Sequence, residues 1–292
     1  MGLQVKPDFI YAGVSRCGST WIYKALDEHP DVFVPPAKDT EFFNSNFEKG
    51  MDWYYNFFSE GKDNAAVGEV SDDYYLFESS VNRIYEQLPD CKIIFCIREP
   101  VSRMTSNMYF IKRFKPDVQI EELLHVPEEY DYYNLLHSCS IDTVNYYSKL
   151  KPYFDVFPKE QILVLFFDEL KADPDSFIRR IYDFIGVDGD FKPAILSQRS
   201  NAAKQARFAM LSNFAFLAAR WMKKAGFANM VGKLKSNWLL RKVLFRGLES
   251  KSDLPLETQK KIYACVQDEL EQLPALIGRD LPEEWTEYRG HV

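Results

Sequence analysis

The sequence predicts an α/β fold, a central parallel sheet with helices on both faces in a three-layer α/β/α arrangement. Two observations carry that expectation. Short apolar runs recur along the chain and are separated by stretches with helical patterning. Strands alternating with helices build parallel sheets, because each crossover places a helix on one face. The chain of 292 residues, 46% hydrophobic and 27% charged, suits one large domain of this class, taken here as 1–292.

Each element has its own reason. Asp8 to Val14 reads as a short buried strand ending in a turn. Ser19 to Asp27 reads as a helix with Trp21, Ile22, Ala25 and Leu26 on one face. Val32-Phe33-Val34 is a second strand, stopped by Pro35-Pro36, and Ala65 to Val70 a third. Lys92 to Ile97 is the clearest strand, rich in β-formers and bounded by polar residues. Pro100 then opens a helix toward Arg113. Tyr146 to Phe154 is helical, and Gln161 to Phe167 is a further strand. Asp173-Pro174 starts a helix that Gly186 closes after Ile185.

Composition narrows the function. No run of about 18 uncharged apolar residues predicts a spanning helix. The first residues lack the apolar stretch of a secretory signal. Five cysteines, Cys17, Cys91, Cys96, Cys139 and Cys265, form no C-x-x-C, and the four histidines show no metal-ligand spacing, so no metal site is expected. This usage fits a reducing, cytoplasmic setting. Between Phe191 and Leu248 there are twelve Lys or Arg and no Asp or Glu, although the net charge is −7. An acidic body with one basic segment points to a local anionic partner rather than to nucleic acid.

Two loops carry the chemistry. Gly13-Val14-Ser15-Arg16-Cys17-Gly18-Ser19-Thr20 lies between a strand and a helix and follows the glycine spacing of the Walker loop. Ser19 stands where the Walker lysine would be, and Arg16 supplies a cation inside the loop. Backbone N–H groups at the helix start suit a phosphate-like anion, whereas a Mg²⁺–nucleotide site is not specified. The second loop begins at Arg98, directly after Lys92–Ile97, where a Walker B strand would end in Asp. Ser106 follows eight residues later. Arginine offers a planar fork for phosphate and serine one more donor. Two anion sites at neighbouring strand ends suggest a nucleotide with phosphates at both ends.

These residues resemble the PAPS-dependent sulfotransferases (PAPS is 3′-phosphoadenosine 5′-phosphosulfate), and most of all bacterial enzymes related to those that sulfate heparan. The first loop is similar to that family's 5′-phosphosulfate loop, with Arg16 at the cationic position and Ser19 for the commoner Thr. Arg98 and Ser106 match its 3′-phosphate motif. The likeness continues through His29-Pro30-Asp31-Val32, Lys38-Asp39-Thr40-Glu41-Phe42-Phe43, Gly68-Glu69-Val70-Ser71 and Gly278-Arg279-Asp280-Leu281.

The resemblance implies a P-loop-like sulfotransferase fold, PAPS as co-substrate, PAP (3′-phosphoadenosine 5′-phosphate) as product and no required metal. It implies that Arg16, Cys17, Gly18, Ser19, Thr20 and Trp21 contact the 5′ end, and Arg98 and Ser106 the 3′-phosphate. Lys204 and Arg207, in a late loop, are further candidates for the nucleotide. The base of the heparan-type enzymes, a Glu three residues before Phe-Phe, falls on Asp39, one methylene shorter; Glu41 and Glu69 are alternatives. Lys38 is a candidate to orient the base or the sulfonate. The Lys that follows the family's counterpart of Glu69 is Val70 here.

The segment 208–248 reads as a helical addition with three open roles: a packed cap, a seat for an acidic glycan acceptor, or a peripheral contact with an anionic membrane bearing a glycolipid. Other readings of the whole chain are a P-loop nucleotide kinase and a non-catalytic adenine-nucleotide binder. The acceptor stays open among glycan, glycolipid and small natural product, for O- or N-sulfation.

Overall fold

The structure, a computed structural model, describes residues 4–112, 114–126, 134, 136–197, 204–206, 222, 245–247 and 254–285. In chain order the main elements are β1 (Phe9–Gly13), α1 (Ser19–Asp27), β2 (Val32–Phe33), α2 (Met51–Tyr55), β3 (Ala66–Val70), α3 (Glu78–Gln87), β4 (Lys92–Ile97) and α4 (Pro100–Ile111). They continue with α5 (Ile120–Leu123), α6 (Tyr146–Val156), β5 (Ile162–Phe166), α7 (Phe167–Ala172), α8 (Pro174–Ile185), β6 (Lys204–Ala206), β7 (Phe245–Gly247) and α9 (Leu256–Ile277). The described residues fall into two compact units. One takes the chain up to Ile97 and again from Pro152; the other takes Arg98 to Lys151 and the C-terminal stretch.

The first unit is built on a parallel five-stranded sheet in the order β2-β3-β1-β4-β5. Its inner strands are buried on both faces, which is why they read as unbroken apolar runs rather than alternating ones. At Gly68 a Cβ would stand 2.5 Å from the Phe9 ring, so the central strands pack closely only because β3 has no side chain there. Helix α1 covers the sheet with Ile22, Ala25 and Leu26. Helix α8 does so with Phe177, Ile178, Ile181, Tyr182 and Ile185. The α8 ends follow the capping rules: Asp173 accepts from the Ser176 N–H at 3.1 Å, Pro174 occupies the first turn, and Gly186 closes the helix at φ 88°.

In the second unit, Glu99 caps α4 by accepting from the Val101 and Ser102 N–H groups at 2.8 and 2.6 Å, with Pro100 in the first turn. Helix α9 buries Ile262, Val266, Leu270, Leu273 and Ile277 along one stripe. None of the described helices is long and apolar enough to cross a membrane.

Several expectations need adjustment. The last strand of the sheet ends at Phe166; Phe167 already begins α7, whose Glu169 reaches back to the Phe166 N–H at 2.9 Å. Trp21, placed on the buried face of α1, is only half-buried. Lys204–Ala206, read as part of a loop, is a strand paired antiparallel with Phe245–Gly247, so the end of the basic segment is extended rather than helical. Met222 is helical, and the rest of 208–248 lies outside the described residues.

Candidate active site

In the first unit two stretches of chain meet at the carboxyl ends of β1 and β3, where parallel sheets bind ligands. The first is the loop after β1. Its start is fixed by the Val14 N–H donating to the Cys96 carbonyl at the end of β4, 3.1 Å away. Arg16 then adopts φ 66° and Gly18 φ 91°. A Cβ on Gly18 would lie 2.8 Å from Leu170 and 3.2 Å from Phe167, so glycine is required there by crowding as well as by conformation. The turn delivers the chain into α1, whose first N–H groups lack intrahelical partners and point out of the helix start. Cys17 is buried, with its Sγ 3.5 Å from the Ser15 carbonyl. Thr20 is exposed, and Trp21 packs edge-on toward Phe177 at 6.2 Å. The Ser19 hydroxyl donates to Asp72.

The second stretch is the arm Lys38 to Phe43. The Asp39 N–H donates to the Val70 carbonyl at 2.9 Å, and the Thr40 N–H to the Ser71 hydroxyl at 3.1 Å. The Tyr74 hydroxyl accepts from the Phe42 N–H at 3.0 Å. Asn46 and Arg83 hold the carbonyls of Thr40, Glu41 and Phe43. Thus held, Asp39 and Glu41 sit at φ 61° and 56°. Arg16, Asp39 and Glu41 are the non-glycine residues with positive φ among those described. Each such position costs on the order of 1 kcal/mol or more, and such strain collects where function fixes geometry.

Glu69 is wholly buried beneath the arm. Its carboxylate accepts from Thr40 Oγ1 at 3.1 Å, and the hydroxyls of Ser71, Tyr74 and Tyr54 lie near it and favour its charged form. Burial raises its pKa, although these hydrogen bonds oppose the rise. Glu69 therefore supports the arm from below and has no exposed surface to offer an acceptor. Asp39 is different: its side chain keeps 30% of its surface exposed.

Lys38 binds the two stretches into one cluster. Its Nζ lies 3.0 Å from Asp39 Oδ1 and 2.9 Å from Asp72 Oδ2. Burial works against the ammonium charge, but Asp39 and Asp72 together raise its pKa, so Lys38 stays protonated. Asp73 is the opposite case. Burial and then the neighbouring Asp72, Asp39 and Glu41 push its carboxyl up to about 8, with only Lys38 opposing. Sequence reasoning missed Asp72 and Asp73. Their signal was two adjacent acids just beyond the carboxyl end of a buried strand.

The second unit holds the other loop. The Arg98 Nε and Nη2 donate to Ser102 Oγ at 2.9 and 2.6 Å. The Arg98 carbonyl accepts from Tyr146 OH at 2.6 Å, and Glu99 accepts from Tyr263 OH. Ser102 was not among the expected residues. It and Ser106 are four apart on α4 and so share a helix face. Ser106 is buried, as is Arg103, which donates to the Thr143 carbonyl and hydroxyl at 2.6 and 2.7 Å. Lys204 lies in β6, and Arg207 lies outside the described residues.

His29 does not compete as a base, being buried with both ring nitrogens engaged: Nδ1 accepts from the Asp31 N–H at 3.1 Å, and Nε2 lies 3.0 Å from the Asp188 carbonyl.

A glycine-bearing loop with Arg16 inside it and Ser19 at the Walker-lysine position lies beside an arm of acidic residues at the carboxyl ends of a parallel sheet. The family model described as the sulfotransferase domain matches residues 6–273, and the chain belongs to that family. Mouse heparan sulfate glucosamine 3-O-sulfotransferase 3A1 is 28% identical over 188 residues, covering 64% of this chain and 47% of the relative. Human bifunctional heparan sulfate N-deacetylase/N-sulfotransferase 2 is 29% identical over 203 residues, covering 62% and 22%. The chain thus spans about half the length of the first of these, and less of the second. A solved sulfotransferase from Alicyclobacillus acidocaldarius shares the fold with a TM-score of 0.71 and 23% identity, over 97% of this chain and all of that one. Membership of this family sets aside the nucleotide-kinase alternative.

Proposed function

We propose that the chain transfers a sulfuryl group from PAPS to an acceptor hydroxyl and releases PAP. In this reading Arg16, the N–H groups of the loop from Cys17 to Thr20 and the Trp21 side of the helix start receive the 5′-phosphosulfate, while Arg98 and Ser106 take the 3′-phosphate. Lys204 and Arg207 remain candidates for further nucleotide contacts. The acceptor oxygen attacks sulfur and Asp39 takes its proton. The bond from sulfur to the bridging oxygen breaks, and PAP leaves with the electron pair. Negative charge grows on that oxygen, and donors fixed in place beforehand stabilise it without reorganising. General-base help from a positioned carboxylate adds typically 10²–10⁴-fold. No step calls on a metal ion.

The observation that carries the reading is the pairing of the phosphate loop with a strained, partly exposed Asp39 at adjacent strand ends of one sheet. The relatives named as heparan sulfate sulfotransferases support a glycan hydroxyl as acceptor. Contact with an anionic membrane through 208–248 would bring a glycolipid to the same chemistry.

Thermal shift with PAP against ATP plus Mg²⁺ tests it. A ligand at 100 times its Kd stabilises by about 2.7 kcal/mol, a rise of several degrees for a chain of this size. A shift with PAP is the expected result. A shift with ATP–Mg²⁺ alone would overturn the reading.

A further inference from the structure

A single carboxylate oxygen joins the phosphate loop to the arm that carries Asp39. Asp72 Oδ2 accepts from the Ser19 hydroxyl and also from Lys38 Nζ, the latter at 2.9 Å. Lys38 Nζ in turn donates to Asp39 Oδ1 at 3.0 Å. Ser19 is the first residue of α1, and Asp39 is pinned by its N–H to the end of β3. Asp72 is 53 residues from Ser19 and 34 from Lys38 in sequence, so only the tertiary fold makes this chain of contacts. The side chains of Asp72 and Lys38 are 15% and 20% exposed, so the pair is mostly shielded from water and competes with it less than a surface pair would.

We propose that Asp72 is a positioning residue for sulfuryl transfer, acting through Lys38 on Asp39 and through Ser19 on the loop. The inference rests on the sulfotransferase reading of the site. Transfer needs the attacking oxygen, sulfur and leaving oxygen nearly in line, so the base and the donors at the leaving group must keep a fixed spacing. Misplacement of about 1 Å costs on the order of a hundredfold in rate. Asp72 holds that spacing because one oxygen ties both stretches. It also keeps Lys38 shared. Its ammonium is divided between the Asp39 and Asp72 carboxylates at 3.0 and 2.9 Å. Without Asp72, Lys38 collapses onto Asp39 alone, and the base is displaced.

The test compares the wild-type protein, Asp72→Ala, Asp72→Asn, Lys38→Met and the double variant Asp72→Ala/Lys38→Met. PAP affinity is read by calorimetry, folding by circular dichroism, and conversion of PAPS to PAP by chromatography, with water as the default acceptor and a panel of glycans beside it. Asp72→Ala is expected to bind PAP within about threefold of wild type and to lose kcat by about a hundredfold. Asp72→Asn keeps an oxygen for Ser19 and Lys38 and is expected to recover part of the rate. It also serves if the alanine variant fails to fold. The double variant is expected to be slower than Lys38→Met by much less than the Asp72→Ala loss, because the Lys38 arm is already gone and only the Ser19 contact remains to be lost. An Asp72→Ala protein that turns over at the wild-type rate overturns the inference. So does a loss of rate that merely follows a loss of PAP affinity, or a double variant whose losses add. Wild-type protein that neither binds PAP nor consumes PAPS overturns the sulfotransferase reading itself, which is a separate and recognisable failure.

Discussion

Replacing Asp73 by Asn should stabilise the protein, and by an amount that grows with pH. The carboxyl is pushed up to about 8 by burial and by Asp72, Asp39 and Glu41, whereas an unfolded Asp titrates near 3.8. Below about pH 4 both states hold the proton and the group is neutral in the balance. Between pH 4 and 8 the unfolded chain has lost its proton and the folded chain has kept it, so stability falls by about 1.4 kcal/mol per pH unit. Above pH 8 the carboxylate is ionised in both states and the full penalty stands. The gap sets a ceiling on the order of 5 kcal/mol. Rearrangement of Lys38 toward Asp73 should return part of it, leaving a few kcal/mol. Asn matches the shape and cannot ionise. Urea unfolding at pH 5, 6.5 and 8 measures the difference between Asp73→Asn and wild type. Hydrogen-bonding differences between Asp and Asn are the same at each pH, so the slope isolates the charge. A difference that stays flat across this range, or that shrinks as pH rises, would refute the reasoning.

Three more outcomes follow from the geometry. Gly18→Ala should lower PAP affinity by tenfold or more and also cost stability, because φ 91° and the 2.8 Å approach of Leu170 both oppose a Cβ; calorimetry and urea titration read the two effects, and an unaltered protein would contradict the loop geometry. Arg98→Ala should weaken PAP binding by tenfold or more, in line with about 1.5–3 kcal/mol for a charged hydrogen bond, while leaving the melting temperature within a few degrees. Glu69→Ala should destabilise by about 1–3 kcal/mol, since it leaves the buried Thr40 hydroxyl without its carboxylate acceptor; a urea midpoint equal to wild type would count against the supporting role given to it.

The sheet was largely legible because its strands are buried on both faces. Lys92–Ile97 and Pro174–Ile185 came out with their boundaries intact, the first from an unbroken apolar run, the second from the Asp-Pro start and glycine stop. Helix α3 escaped because it buries little beyond Ser80, Val81 and Ile84. Helix α9 escaped because its apolar stripe is narrow and Pro274 reads as a breaker, though the proline sits in the last turn. The loop residues Arg16 and Gly18 and the arm residues Lys38 and Asp39 were legible through local spacing and family likeness. Asp72, Asp73 and Ser102 were not. Asp72 gains its role from partners distant in sequence, Asp73 from the charges the fold gathers around it, and Ser102 from the turn that brings the Arg98 fork onto α4.

The central claim is that Asp39 is the proton acceptor of a PAPS-dependent sulfuryl transfer. Its most direct test is PAP release from PAPS by Asp39→Asn beside wild type, with PAP affinity measured on both. The account predicts unchanged PAP affinity and a rate lower by at least about a hundredfold, the share a general base supplies. An Asp39→Asn protein that binds PAP and turns over at the wild-type rate would contradict it and place the base elsewhere.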